Sequence, residues 1–233
     1  MDAYIFDTKN IIMRFISFAV TLILFSIAPL LPAQTLSDTE TKELCDKLGT
    51  ATLAGGMSVK FQETKTLKIL KKPIEESGTL KFLPPNYFCR MVEHPRKAYT
   101  YFDGKLLWMV FPKEKLAERY PADRSKVMRD TIEGIAAAIE PSNLSKRFHI
   151  VAEKKNKNYH LTLTPISAEF KKTVSEIFLT VDLKYRPTEV VIISTSGDRS
   201  HIVLSNEKRV KLTPEDFTYH PESDIQISYP LGK

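Results

Sequence analysis

Residues 97–111 read KAYTYFDGKLLWMVF, and this stretch decides the fold. Asp103-Gly104 stands between two apolar runs. That is the strongest short hairpin signal, because both central residues of such a turn need φ > 0. The flanking runs, Lys97–Phe102 and Lys105–Phe111, therefore read as paired strands. The second is apolar on both faces, with Leu106, Trp108 and Val110 on one and Leu107, Met109 and Phe111 on the other. A strand of this kind must be covered on both sides, by a helix, a second sheet or a ligand.

Working upstream, Pro84-Pro85-Asn86 is a turn, since proline fixes φ and offers no N–H to a ladder. Tyr87–Glu93 follows it as a strand. Before the turn, Gly78, Leu80 and Phe82 share one parity, as do Val59, Phe61, Leu67 and Ile69 in the preceding run. Both are strands with one apolar face. Further back the period changes. Ser37-Asp-Thr-Glu40 has the form of a capping box, and Leu44, Cys45, Leu48, Ala51 and Thr52 recur at helical spacing until Gly55-Gly56.

Downstream, Pro121–Glu140 reads as a second helix. Met128, Ile132, Ile135 and Ile139 form its apolar stripe, Lys126, Arg129, Asp130 and Glu133 its charged face, and Pro141 its stop. Strands then return at Phe148–Glu153, Tyr159–Thr164, Glu176–Lys184, Thr188–Thr195 and His201–Asn206, with Ser196-Gly197-Asp198 as a hairpin tip. Phe217–Tyr229 is short strands and turns. No fixed-period repeat and no long linker divides the chain. The expected class is α+β, a single domain with a large antiparallel sheet.

Phe15–Ala28, FISFAVTLILFSIA, is an uncharged apolar run too short to span a bilayer comfortably. Arg14 before it and Ala33 after it give the pattern of a signal peptide over residues 1–33. Asp2, Asp7 and Lys9 make a poor basic n-region, which favours a start at Met13. An uncleaved anchor is the competing reading. No cysteine lies just after the run, so a lipid-attachment signal is absent. Cutting after Ala33 leaves 200 of the 233 residues, enough to bury a sizeable core.

Composition narrows the function. The chain is 42% hydrophobic and 27% charged, as in a soluble globular protein. Its 34 basic and 28 acidic residues leave only +6, a mixed solvated surface rather than a nucleic-acid-binding one. Two cysteines exclude a disulfide-dense scaffold and a four-cysteine zinc site. Cys45 and Cys89 are either bridged, which would add roughly 3–4 kcal/mol by loop closure, or two separate buried thiols. There is no Gly-x-Ser-x-Gly and no phosphate-cradling loop. Ser200-His201 reads as a surface pair with no acid nearby on its face, and Asp103 belongs to its turn. The five histidines lack metal-ligand spacing. The expectation is a protein that is not an enzyme.

The order of motifs resembles the periplasmic outer-membrane lipoprotein carrier (LolA) family. The resembling pieces are Phe61-Gln62, Gly78-x-Leu80-x-Phe82, Pro85-Asn86-x-Phe88, Asp103-Gly-Lys-Leu-Leu107-Trp108, Pro112, Leu163-x-Pro165 and Phe217-x-Tyr219-x-Pro221, spanning Val59 to Pro221. The resemblance implies a curved, incomplete antiparallel β-barrel covered by helices, with an apolar space for acyl chains. It implies a soluble periplasmic monomer without covalent chemistry or cofactor. Cargo would come from an inner-membrane ABC-type release complex and go to an outer-membrane acceptor.

The residues expected to border the acyl space are Phe61, Phe82, Phe88, Trp108, Met109 and Phe111, with Ile132, Ile135 and Ile139 on the covering helix. One departure stands out. Family members commonly carry an Arg immediately before the Pro-Asn pair, where it helps hold the lid closed, and here that position is Pro84. Either another group closes the cavity, or the chain is a divergent carrier for another lipid or glycolipid. A sensor or scaffold module binding an envelope protein is the reading from a different class.

Overall fold

A computed structural model describes residues 34–52, 55–122 and 144–232. Among these residues thirteen strands form one open sheet in the order β1-β8-β9-β10-β11-β12-β2-β3-β4-β5-β6-β7-β13. They are β1 (Gln34–Thr35), β2 (Gly56–Thr66), β3 (Ile74–Leu83), β4 (Tyr87–His94), β5 (Ala98–Phe102), β6 (Leu106–Phe111) and β7 (Leu116–Pro121). The second half holds β8 (Phe148–Lys155), β9 (Asn158–Pro165), β10 (Val174–Asp182), β11 (Pro187–Ser194), β12 (Arg199–Val210) and β13 (Gln226–Ser228). Two antiparallel meanders, β2–β7 and β8–β12, lie side by side because β12 pairs with β2 along almost its whole length. β13 alone is parallel to its neighbour, β7.

The turns follow local chemistry. Asn156 and Lys157 both take φ > 0 (51° and 63°), joining β8 to β9 with a two-residue loop. The decisive hairpin differs by one residue from the expectation. Its central pair is Gly104-Lys105, with only Gly104 at positive φ (89°). Asp103 is the anchor instead, accepting from the Lys105 and Leu106 amides at 2.9 and 2.7 Å. Strand β7 is a further difference. Its charges at Glu118 and Arg119 hide the alternation, and Pro121 ends this strand rather than opening a helix. The rest of the stretch expected as the second helix, apart from Ala122, lies outside the described residues, with Ile132, Ile135 and Ile139.

Helix α1 (Asp38–Thr52) starts as its sequence requires. Glu40 accepts from the Ser37 amide at 2.8 Å, and Ser37 Oγ accepts from the Glu40 amide at 3.3 Å. Its buried Leu44, Cys45 and Leu48 pack on Phe148, Ala152, Leu161, Leu163, Ile177, Leu179 and Val181 of β8–β10. We call this side of the sheet the inner face. Register carries it across the other meander to Met57, Val59, Phe61, Phe82, Phe88, Phe102 and Leu107.

The outer face of β4–β7 has a different cover. The C-terminal segment lays Tyr219, Ile225 and Ile227 over Trp108, Val110, Tyr99 and Tyr101. Among the described residues no helix is long and apolar enough to cross a membrane.

Both cysteines are free and buried. Cys45 faces the inner core on α1, whereas Cys89 of β4 pairs with Tyr101 and Lys81 and so points to the outer face. The sheet lies between them, so the bridged alternative is corrected to two separate thiols. Burial pushes Cys45 up to about 11, with Asp46 adding to it. Burial pushes Cys89 up to about 12, against a small opposing pull from Lys81. The thiolate is the reactive form. Native protein at pH 8 is therefore expected to resist alkylation, and unfolded, unreduced protein to titrate two thiols. Zero thiols on unfolding would restore the bridge.

Candidate functional site

The inner face is not filled throughout. Between the two meanders lies a cavity of about 300 Å³, near the small end of the range for ligand sites. β2–β4 contribute Phe61, Leu80, Phe82 and Phe88, and β11–β12 contribute Val190, Ile192, Ile202 and Leu204. Phe170, Val174 and Ile177 close the β10 end. The wall exists because β12 sits beside β2, and alternation points every second residue of each strand the same way.

Among the described residues two charged side chains reach this wall, Glu63 and Arg90. Glu63 is 7% exposed and shares the parity of Val59 and Phe61. Arg90 Nη2 donates to Glu63 and, at 2.6 Å, to Glu76 Oε2. Its guanidinium lies 4.7 Å from the Phe61 ring centre. Lys65 Nζ donates to Glu76 at 2.8 Å, and Ser200 Oγ donates to Glu63. Burial alone would raise the Glu76 carboxyl, but the hydrogen bonds and positive charges of Lys65 and Arg90 together outweigh it and hold it below the usual range.

The residues singled out from sequence separate into groups. Phe61, Phe82 and Phe88 line the cavity. Met109 is on the inner face and packs against the neighbouring core, and Phe111 shares its parity, but neither is on the cavity wall. Trp108 departs from the expectation. It pairs with Tyr101 and Arg119 on the outer face, 5.4 Å from the Tyr219 ring and 5.9 Å from the Arg119 guanidinium carbon. A strand apolar on both faces offered no way to choose the inner side, and the C-terminal segment takes the Trp108 side.

Sequence reasoning passed over Arg90, Glu63 and the β10–β12 wall. The available signals were Arg90 at the parity of Phe88 and Val92, and Glu63 two residues after Phe61. Ser200 and His201 fall on opposite faces, and each has an acid. Ser200 meets Glu63, and His201 Nε2 lies 2.5 Å from Glu189 Oε1. The expectation of no acid beside them is thus corrected, and the opposite orientations separate the two residues. Among the described residues no three His, Cys, Asp or Glu side chains gather as a metal site.

The sheet, antiparallel except where β13 joins β7, holds an apolar hollow on its inner face. The family model for the outer membrane lipoprotein carrier protein LolA matches residues 53–220, and the protein belongs to that family. Among solved structures, an uncharacterized conserved protein from Thermus thermophilus is similar, at 13% identity and TM-score 0.54, over 82% of this chain and 99% of that one. A LolA superfamily protein from Nitrosomonas europaea has 14% identity and TM-score 0.45, over 76% and 97% of the two chains. No curated protein is a significant match.

Proposed function

We propose that the protein is a periplasmic carrier that shields the acyl chains of lipoproteins in the inner-face cavity and delivers them to the outer membrane. The observation that carries this reading is the cavity itself, whose wall has eleven apolar residues and two charged ones among the described residues. An exposed CH₂ costs about 0.8 kcal/mol in water, so acyl chains need such a wall to cross an aqueous compartment. On this reading the protein is a binding protein and not an enzyme. It is cut after Ala33, stays soluble, and exchanges cargo with an ABC-type release complex and an outer-membrane acceptor. Mature protein from the periplasm should begin at Gln34, and recovery of the full chain in the membrane pellet would refute the cut.

The test of the cavity is to fill it. Ile192→Trp places a large ring into the hollow and should abolish uptake of a fluorescent acyl probe. Overpacking costs about 1–3 kcal/mol, so the variant should still melt cooperatively. Uptake equal to wild type would remove the cavity from the site. Pro84 favours a second reading, a divergent carrier for another lipid, because it cannot supply the donors of the family's Arg. Organic extraction of purified protein followed by mass spectrometry separates the two by the lipid recovered. An empty extract would favour an envelope-protein sensor.

A further inference from the structure

An acyl chain needs no charge on its wall, yet Glu63 and Arg90 stand on this one. Burying charge in an apolar site is costly unless the charges are paired. Here they are balanced. Arg90 and Lys65 face Glu63 and Glu76, two cations against two carboxylates, with Ser200 completing the shell of Glu63. The two carboxylates take only Nη2 of Arg90 among the described residues. A guanidinium has five N–H donors in a rigid fork, and 26% of the Arg90 side chain is exposed while Glu63 is closed off at 7%. A cation–π contact with the Phe61 ring holds that fork at the cavity wall.

The open donors suit a hydrogen-bond acceptor, and the charge balance selects its kind. An anionic head would bring a third negative charge beside Glu63 and Glu76 in a poorly solvated site, where like charges repel strongly. A neutral carbonyl accepts the same hydrogen bond and leaves the balance intact. We propose that Arg90 donates to the carbonyl at the head of an ester- or amide-linked acyl chain, and that Glu63 and Glu76 make the cavity select such chains over free fatty acids. This inference rests on the acyl-carrier reading and adds the chemistry of the ligand's polar end.

The test is competition against a fluorescent acyl probe at pH 8, with monopalmitoyl glycerol and palmitate as competitors. Wild type should favour the glycerol ester by at least about tenfold, equivalent to about 1.4 kcal/mol. Glu63→Gln removes one negative charge and keeps an oxygen for Ser200 and Arg90, so palmitate should gain and the ratio should narrow several-fold or invert. Glu76→Gln should move the ratio the same way and serves if Glu63→Gln fails to fold. Arg90→Met should weaken the ester. Equal affinities in wild type, or a ratio that neither carboxylate variant moves, would overturn the proposal. Failure of the probe and both competitors to bind at all would instead overturn the carrier reading beneath it.

Discussion

Gly78→Val is expected to abolish the native fold. Gly78 sits on β3 at a register shift against β4, with the Met91 carbonyl and the Phe61 ring beside it. A Cβ at this position would run into the Met91 carbonyl oxygen, and would stand 2.9 Å from its carbon and 3.1 Å from the Phe61 ring. The first two are backbone atoms and cannot rotate away. Relief would require separating β3 from β4, which breaks the ladder that carries Phe82, Phe88 and Arg90. Native domains are stable by only about 5–15 kcal/mol, and overpacking of this kind belongs to the exceptional class above about 4 kcal/mol. The checks are soluble yield and thermal melting by circular dichroism. Gly78→Ala meets the same carbonyl and should also fail. A Gly78→Ala variant melting like wild type would mean that the β3–β4 register is different.

Phe217→Ala should be the most damaging truncation in the C-terminal segment. Phe217 is fully buried and lies 5.7 Å from the Tyr87 ring. It is presented by the turn at Pro214–Phe217, where Asp216 accepts from the Thr213 amide at 2.8 Å. Deleting a buried Phe costs about 3–5 kcal/mol, which for a chain of this size lowers Tm by about 6–20 °C. The same change should loosen Tyr219, whose ring stacks on Tyr101 at 5.6 Å and meets Trp108 at 5.4 Å. Trp108 is the single tryptophan, so its emission reports this face alone. A red shift should accompany the fall in Tm. A lower Tm with unshifted emission would show that Phe217 holds itself and not the segment over Trp108.

Much of the fold is written locally. The Ser37–Glu40 box needs only residues three apart, and it forms. The Asp103-Gly104 hairpin was legible because glycine alone tolerates the backbone angle there at no cost, although the structure moves the turn one residue along. Strands Tyr87–Glu93 and Lys97–Phe102 match their observed positions within a residue. β7 was missed because a strand whose residues alternate as Leu, Ala, Glu, Arg and Tyr lacks an apolar period, and only pairing with β6 stabilises it. The family resemblance was legible for the same local reason, since its motifs are turns and short alternating runs.

By itself, the sequence determined which segments extend, where they turn, how the first helix begins, and that each strand has two unlike faces. Alternation has a period of two, so it separates faces without saying which one looks inward. That choice was made by what lies on each side. The C-terminal segment covers Trp108, while α1 and the hollow take the side of Leu107 and Met109. The Glu63–Arg90–Glu76–Ser200 cluster is a product of tertiary structure alone. Ser200 is 137 residues from Glu63, and the two meet only because β12 pairs with β2. Hydrogen bonds between strands are the same for any pairing, so local chemistry cannot choose the partner. Burial of the whole inner face does, and with it the place of the cavity.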